Sequence, residues 1–439
     1  MNATPKRELS LFDSTCLIVG IIIGAGIYQT TPDVAKGAGS GWGVLAIWVV
    51  GGLLSLCGAL GYAELASAYP REGGDYVYLS RAYGRWAGFL FGWIQLTVVR
   101  PGDIAVMAFA FATYARTLYD PFPSSPPIVA EVLYAVAATA ILTLINVAGV
   151  KEGKWAQNIL TTVKALGLLA IVGVAFVARP AAATAAAPQA FPLSIALIMV
   201  LFTFGGWNEM AYVAAEVKDP RRNIVRALVL GAVAVTVLYL LVNGAFLYTL
   251  GYSGLAGSQA VAAEAVSRFF PQAAGRMISV LICLSALGAV NGLIFTGARI
   301  SYALGAEHRA FRLLGRWDAR TGTPAAALLV QGLIAAGLIL LLRSFVNAVL
   351  YTAACVYSFY LATSLAVVVL RHKEPNVPRP YRVTGYPAPT IIFCLACAFL
   401  IYSAVIYKPL IAWASVGLLL LGLPVYFLSA RQRPDRLAG

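Results

Sequence analysis

Charge is what this sequence most lacks. Only 11% of its 439 residues are Asp, Glu, Lys or Arg, and 60% are hydrophobic. Soluble domains carry roughly 25% charged residues, so a soluble globule is excluded. Histidine is nearly absent: His308 and His372 both fall in basic loops, where solvated rings are expected. The six cysteines all lie within apolar stretches, and none falls in a predicted outside loop. No disulfide framework and no metal-ligand spacing follows from them. With no metal cluster and no nucleophile–base set, neither an enzyme nor a bound cofactor is expected. The absence of a charged ring or filter repeat argues against a channel.

What the chain has instead is apolar length. Stretches of about twenty apolar residues are candidate membrane-spanning helices. Twelve are read, over 11–36, 42–68, 86–114, 128–149, 154–178, 192–216, 223–250, 273–303, 324–342, 345–370, 388–407 and 409–429. The short polar N-terminus shows no cleavable signal pattern. The net charge of +14 could suggest nucleic acid, but its distribution argues otherwise. Of 32 Lys and Arg residues, 23 sit in the tails and even-numbered loops and 7 in odd-numbered loops. The remaining two, Arg100 and Lys164, fall inside spans. The positive-inside rule then predicts a plasma or inner membrane protein with both termini cytoplasmic. The Ala/Pro/Thr tract 180–190 reads as a weakly structured outside connection.

Two spans are interrupted by glycine. Span 1 carries Gly20-Ile21-Ile22-Ile23-Gly24-Ala25-Gly26-Ile27-Tyr28 at its middle. Span 6 carries Phe202-Thr203-Phe204-Gly205-Gly206-Trp207-Asn208-Glu209-Met210. A helix in lipid must satisfy its own backbone, and glycine lowers the penalty for leaving it. An opened ladder exposes N–H groups at the start of one half-helix and C=O groups at the end of the other. The bland alternative is that small residues let neighbouring helices pack closely. Spans 1 and 6 each open a block of five, and paired breaks in two inverted halves point to a midplane transport site. The expected fold is all-α and polytopic, with an inverted five-plus-five repeat and broken helices 1 and 6. Its units are residues 1–180, 181–373 and a final pair of spans with the tail, 374–439.

The backbone reading places a substrate carboxylate on the N–H groups of Ala25, Gly26 and Ile27, next to Gly24. An ammonium would meet carbonyls near Ile21 and Ile22, and near Phe202 and Phe204 beside Gly205. Phe204 is expected to close the outer path, with Trp207 a weaker candidate. Asn208 offers donors and acceptors to a substrate or to opened backbone. Arg100 and Asp103 share a helix face at i,i+3 and are read as a neutral internal pair, with a gate or substrate contact as the alternative. Glu209 is a candidate for proton coupling or for binding a cationic side chain, with a salt bridge inside the bundle as the alternative. Lys164 lies about 15 Å into span 5, too deep to snorkel, and should face the bundle interior. No cation is foreseen that could hold an acidic side chain, so a neutral substrate is favoured.

Several motifs together resemble the amino acid–polyamine–organocation transporters, and within them the L-type amino acid transporter branch. They are Gly24-Ala25-Gly26-Ile27-Tyr28, Tyr62-Ala63-Glu64-Leu65, Gly73-Gly74-Asp75-Tyr76, Arg100-Pro101, Gly205-Gly206-Trp207-Asn208 and Glu216-Val217-Lys218-Asp219-Pro220. The resemblance implies the LeuT/APC fold and sodium-independent amino acid exchange by alternating access. It also places Lys164 where a lysine substitutes for a bound sodium ion, donating to carbonyls around Gly20 to Ile23. Members of the branch often bind a glycoprotein through a cysteine in the loop after span 3. The loop 116–127 has none, so no disulfide-linked partner is expected. A proton-coupled symporter, or a sensor that binds without flux, remains as an alternative.

Overall fold

The computed structural model describes residues 7–430, apart from 72, 178–191, 259–260, 268–269, 271–273, 343–344 and 408. The tract 180–190 and the basic tail beyond 430 lie outside the described residues. All regular structure among the described residues is helical, joined by two isolated β-bridges. In chain order the helices are α1 (Leu11–Ile22), α2 (Gly26–Gln29), α3 (Thr31–Ala38), α4 (Gly41–Ala68), α5 (Asp75–Tyr83), α6 (Arg85–Ile94) and α7 (Arg100–Leu118). There follow α8 (Pro127–Ala148), α9 (Val150–Val177), α10 (Leu193–Thr203), α11 (Pro220–Gly257), α12 (Val261–Ser267) and α13 (Ala274–Glu307). The chain closes with α14 (Ala325–Leu342), α15 (Phe345–Lys373), α16 (Ala388–Tyr407) and α17 (Pro409–Ala430).

Among the described residues, nine helical segments are long and apolar enough to cross a membrane, and three shorter apolar ones accompany them. The outer faces carry bare aliphatic side chains such as Leu333, Leu341 and Leu428. In water such surface would be costly; in a bilayer it is the solvated face. The buried middle is held by α1, the span α6–α7, the span-6 segment Ala196–Glu216 and α13, the most enclosed of the nine.

Both glycine breaks are real departures from helix. Span 1 unwinds over 23–25 and restarts as α2 at Gly26. Span 6 stops at Thr203 and turns through Gly206 at φ 106°, a left-handed value that glycine adopts without a Cβ penalty. Its second half differs from the expected α-helix. Residues Trp207–Glu216 form a 3₁₀ helix, tighter and longer per residue.

Span 3 contains an interruption that the spacing of apolar residues does not reveal. A π turn over Gln95–Val99 joins α6 to α7, and the Arg100 N–H reaches back to the Gln95 carbonyl. Pro101 supplies the cause, because it has no N–H to continue the ladder. The turn places Gln95 and Arg100 side by side in the bundle interior.

One end of the bundle, where the basic loops gather, is tied by polar contacts. Arg371 meets Glu64 at 2.5 Å, and the Val383 N–H donates to the same carboxylate at 2.7 Å. Arg299 grips Glu216 through two bonds of 2.7 and 3.0 Å, both side chains fully enclosed. Tyr62 and Thr363 both donate to the buried Asp75 carboxylate, and burial pushes that carboxyl up to about 6. His308 corrects an expectation. It is buried, not solvated, with its ring 4.7 Å from Phe89 and packed under Tyr426 of α17. Burial, with the Arg85 charge beside it, pushes the imidazole down to about 4.

Candidate functional site at the two helix breaks

The two breaks lie against each other. Thr30 and Thr203 share a hydroxyl–hydroxyl bond of 2.8 Å across them. The Tyr239 hydroxyl donates to the Ile22 carbonyl at 2.8 Å and lies 3.4 Å from that of Thr203. Gly26 is where α2 meets α10: a Cβ there would stand 3.2 Å from Thr203 Cγ2. Its glycine therefore serves the close approach of the two breaks, rather than leaving open space for a ligand. Gly26→Val should wedge the half-helices apart and abolish substrate binding in a radioligand assay. Unchanged affinity would remove the breaks from the binding site.

Lys164 holds the first break from below. It is fully buried, and its Nζ donates to the carbonyls of Gly20, of Ile23 at 2.7 Å and of Ser285 at 3.2 Å. Ser285 adds its own hydroxyl to Ile23 O at 3.0 Å and to Gly24 O at 3.2 Å. Sequence reading missed Ser285. A lone serine in an apolar span carries no signal beyond its polarity. The first turn of α2 leaves the N–H groups of Gly26 and Ile27 without intrahelical acceptors, as helix starts do. Among the first-half carbonyls, Ile22 O is already taken by Tyr239 and by the Gly24 N–H. The Phe202 carbonyl likewise accepts from the Gly205 N–H at 2.9 Å.

Next to the breaks is a cavity of about 170 Å³ between α1, the α6–α7 junction, α10, the 3₁₀ segment, α13 and α15. Of the sequence-nominated residues, Ile21, Arg100, Asp103, Phe202, Gly205, Asn208 and Glu209 line it. Ile22, Gly24, Ala25, Gly26, Ile27, Lys164, Phe204 and Trp207 do not; they pack behind it. A second hollow of about 500 Å³, lined by Tyr28, Tyr114 and Ser279, lies toward the far end of α7.

The aromatic expected at the gate is displaced by two positions. Phe204 is buried against Trp48 and Tyr239, with ring centroids 5.9 and 5.3 Å away. Of the two span-6 phenylalanines it is Phe202 that lines the cavity, together with Phe91 and Phe359 from other elements. Trp207 also points away, into a cluster with Tyr62, Tyr360 and Phe393 at 5.0 to 5.6 Å. Asn208 bridges two tyrosines of the cavity wall, donating to Tyr212 at 2.7 Å and accepting from Tyr360 at 3.0 Å.

The expected pairing of Arg100 with Asp103 is also corrected. Arg100 Nη2 meets Glu209 at 2.7 Å, its Nε donates to Gln95, and its guanidinium lies over the Tyr212 ring. The second Glu209 oxygen accepts from Thr296 at 2.6 Å. A short aspartate one turn away cannot offer the planar fork the geometry that the facing glutamate does. Both Glu209 oxygens are thus engaged by donors within the bundle, the salt bridge raised for it as the alternative from the sequence.

Two helices that open at mid-bilayer around a cavity define a membrane transporter for a small solute. The comparisons with known proteins make it specific. The amino acid permease family model matches residues 9–426, so the chain belongs to the amino acid permease family. It is 32% identical to the b(0,+)-type amino acid transporter 1 of Mus musculus, covering 96% of this chain and 88% of that protein. It is 33% identical to the human large neutral amino acids transporter small subunit 2, over 96% of this chain and 80% of the relative. The Asc-type amino acid transporter 1 of Rattus norvegicus is 32% identical over 98% and 82%. The chain is thus an integral membrane transporter of amino acids on the five-plus-five fold, and not an enzyme.

Proposed function

We propose that this protein exchanges neutral L-amino acids across the membrane without sodium, by alternating access. The observation that carries the reading is Lys164. Its ammonium supplies, from within the protein, a positive charge to the carbonyls that the first break leaves open. No solute cation is then needed there. The substrate carboxylate takes the helix start at Gly26 and Ile27 in a conformation that opens it to the cavity, and its ammonium takes carbonyls near Ile21 and the end of α10. Phe202 closes over the bound molecule. Arg100 is committed to Glu209, which leaves no free cation for an acidic side chain.

The two inverted repeats are residues 1–180 and 181–373, and rocking of one helix group against another opens each side in turn, with the basic loops and both termini on the cytoplasmic side. A disulfide-linked partner has no attachment point in the loop 116–127. Counterflow in proteoliposomes with labelled neutral amino acids tests the proposal. Uptake should require internal amino acid and persist when choline replaces sodium. Acid-driven uptake into empty vesicles would instead indicate proton symport. Saturable binding with no counterflow would indicate a sensor.

A further inference from the structure

One charged side chain of the cavity has no role in this scheme. Arg100 and Glu209 neutralise each other and are withdrawn into the wall, with side chains 4% and 5% exposed. Asp103 is only partly covered, lines the same cavity, and forms no ion pair or hydrogen bond among the described residues. The charge that the cavity presents to a ligand is therefore negative. A carboxylate in a largely apolar cavity within a membrane is met by a positive charge or a proton.

The surroundings say what shape that charge has. Met107 is four residues beyond Asp103 on α7, about 6 Å along the helix. Met107 also touches the first break: a Cβ on Gly24 would stand 3.1 Å from its Sδ. The wall between the break and Asp103 is thus Met107 with Val106, both apolar and both lining the cavity. An amino acid held by its backbone groups at the break, and directed along α7, would lay an aliphatic stem on this wall. After about 6 Å its tip would meet the carboxylate. A four-carbon chain ending in an ammonium has that reach and that polarity.

We propose that Asp103 is a specificity residue that admits an amino acid with an ammonium-tipped four-carbon side chain, lysine, in addition to neutral ones. The proposal rests on the substrate placement given above, in which the amino acid's backbone sits at the first break.

Calorimetric titration of the purified, detergent-solubilised protein with lysine and with its neutral isostere 6-hydroxynorleucine tests it. The wild type should bind lysine at least about tenfold more tightly, the step that a partly desolvated charge pair supplies. In Asp103→Asn the ratio of the two affinities should fall toward one, and Asp103→Glu should restore the preference for lysine. Equal binding of the two ligands by the wild type overturns the proposal, whether or not the variants fold. A lysine preference that survives in Asp103→Asn overturns it too. Titration reads binding alone, so lysine preference without counterflow would strike the exchange reading and leave Asp103 in place.

Discussion

Lys164→Ala is expected to lower counterflow by about tenfold to a hundredfold. Three carbonyls lose a charged donor. A hydrogen bond to a charged group contributes about 1.5–3 kcal/mol. Ser285 keeps its own bonds to Ile23 O and Gly24 O, so the break should persist in a loosened form. The loss should therefore appear in rate and affinity more than in folding. Lys164→Arg is not expected to rescue it. A Cβ on Gly288 would stand only 2.8 Å from Nζ, which leaves no room for a planar guanidinium. Initial rates in proteoliposomes, matched for inserted protein, give the answer; wild-type rates for the alanine variant would end the role assigned to Lys164.

The other large effect concerns stability. Glu209→Ala strands the Arg100 guanidinium, 3% exposed, without its salt-bridge partner. Breaking one side of a buried pair costs about 3–5 kcal/mol. Arg100 already has one nitrogen, Nη1, without a partner, so little remains to compensate. The variant should unfold at a clearly lower temperature in detergent. Adding Arg100→Met should recover much of the loss, because methionine needs no counterion and fits an irregular gap. An unshifted melting curve for Glu209→Ala would show that the pair is not closed to solvent.

The breaks were legible from sequence because glycine pairs are conspicuous in an apolar run and have a single cheap explanation in lipid. Lys164 was legible for the same reason: a charge ten residues into a span must have a reason to be there. Two of its three carbonyl partners, Gly20 and Ile23, fall in the window foreseen by family resemblance, and the third, Ser285, does not. What failed was phase. Phe202 and Phe204 sit on nearly opposite sides of a helix, 200° apart at 100° per residue. Beyond an unwound stretch, the apolar pattern no longer says which side looks inward. Arg100 failed differently. Its i,i+3 neighbour Asp103 was visible in the chain, whereas its partner Glu209 lies 109 residues away and meets it through tertiary packing. The π turn that aims Arg100 had a local signal, Pro101, that apolar periodicity ignores. His308 is buried by α17, an element whose sequence says nothing about where it docks.

The bond between Thr30 and Thr203, the seat of Gly26 on Thr203 and the Tyr239 hydroxyl close a loop of contacts around both interruptions. Neither stretch of bare backbone can flex without dragging the other. In the proposed placement an arriving zwitterion meets two breaks already held together, and part of the ordering cost is met when the chain folds rather than when the ligand lands. The same stitching turns two half-helices into a single crank, so a pull on one is delivered to the other.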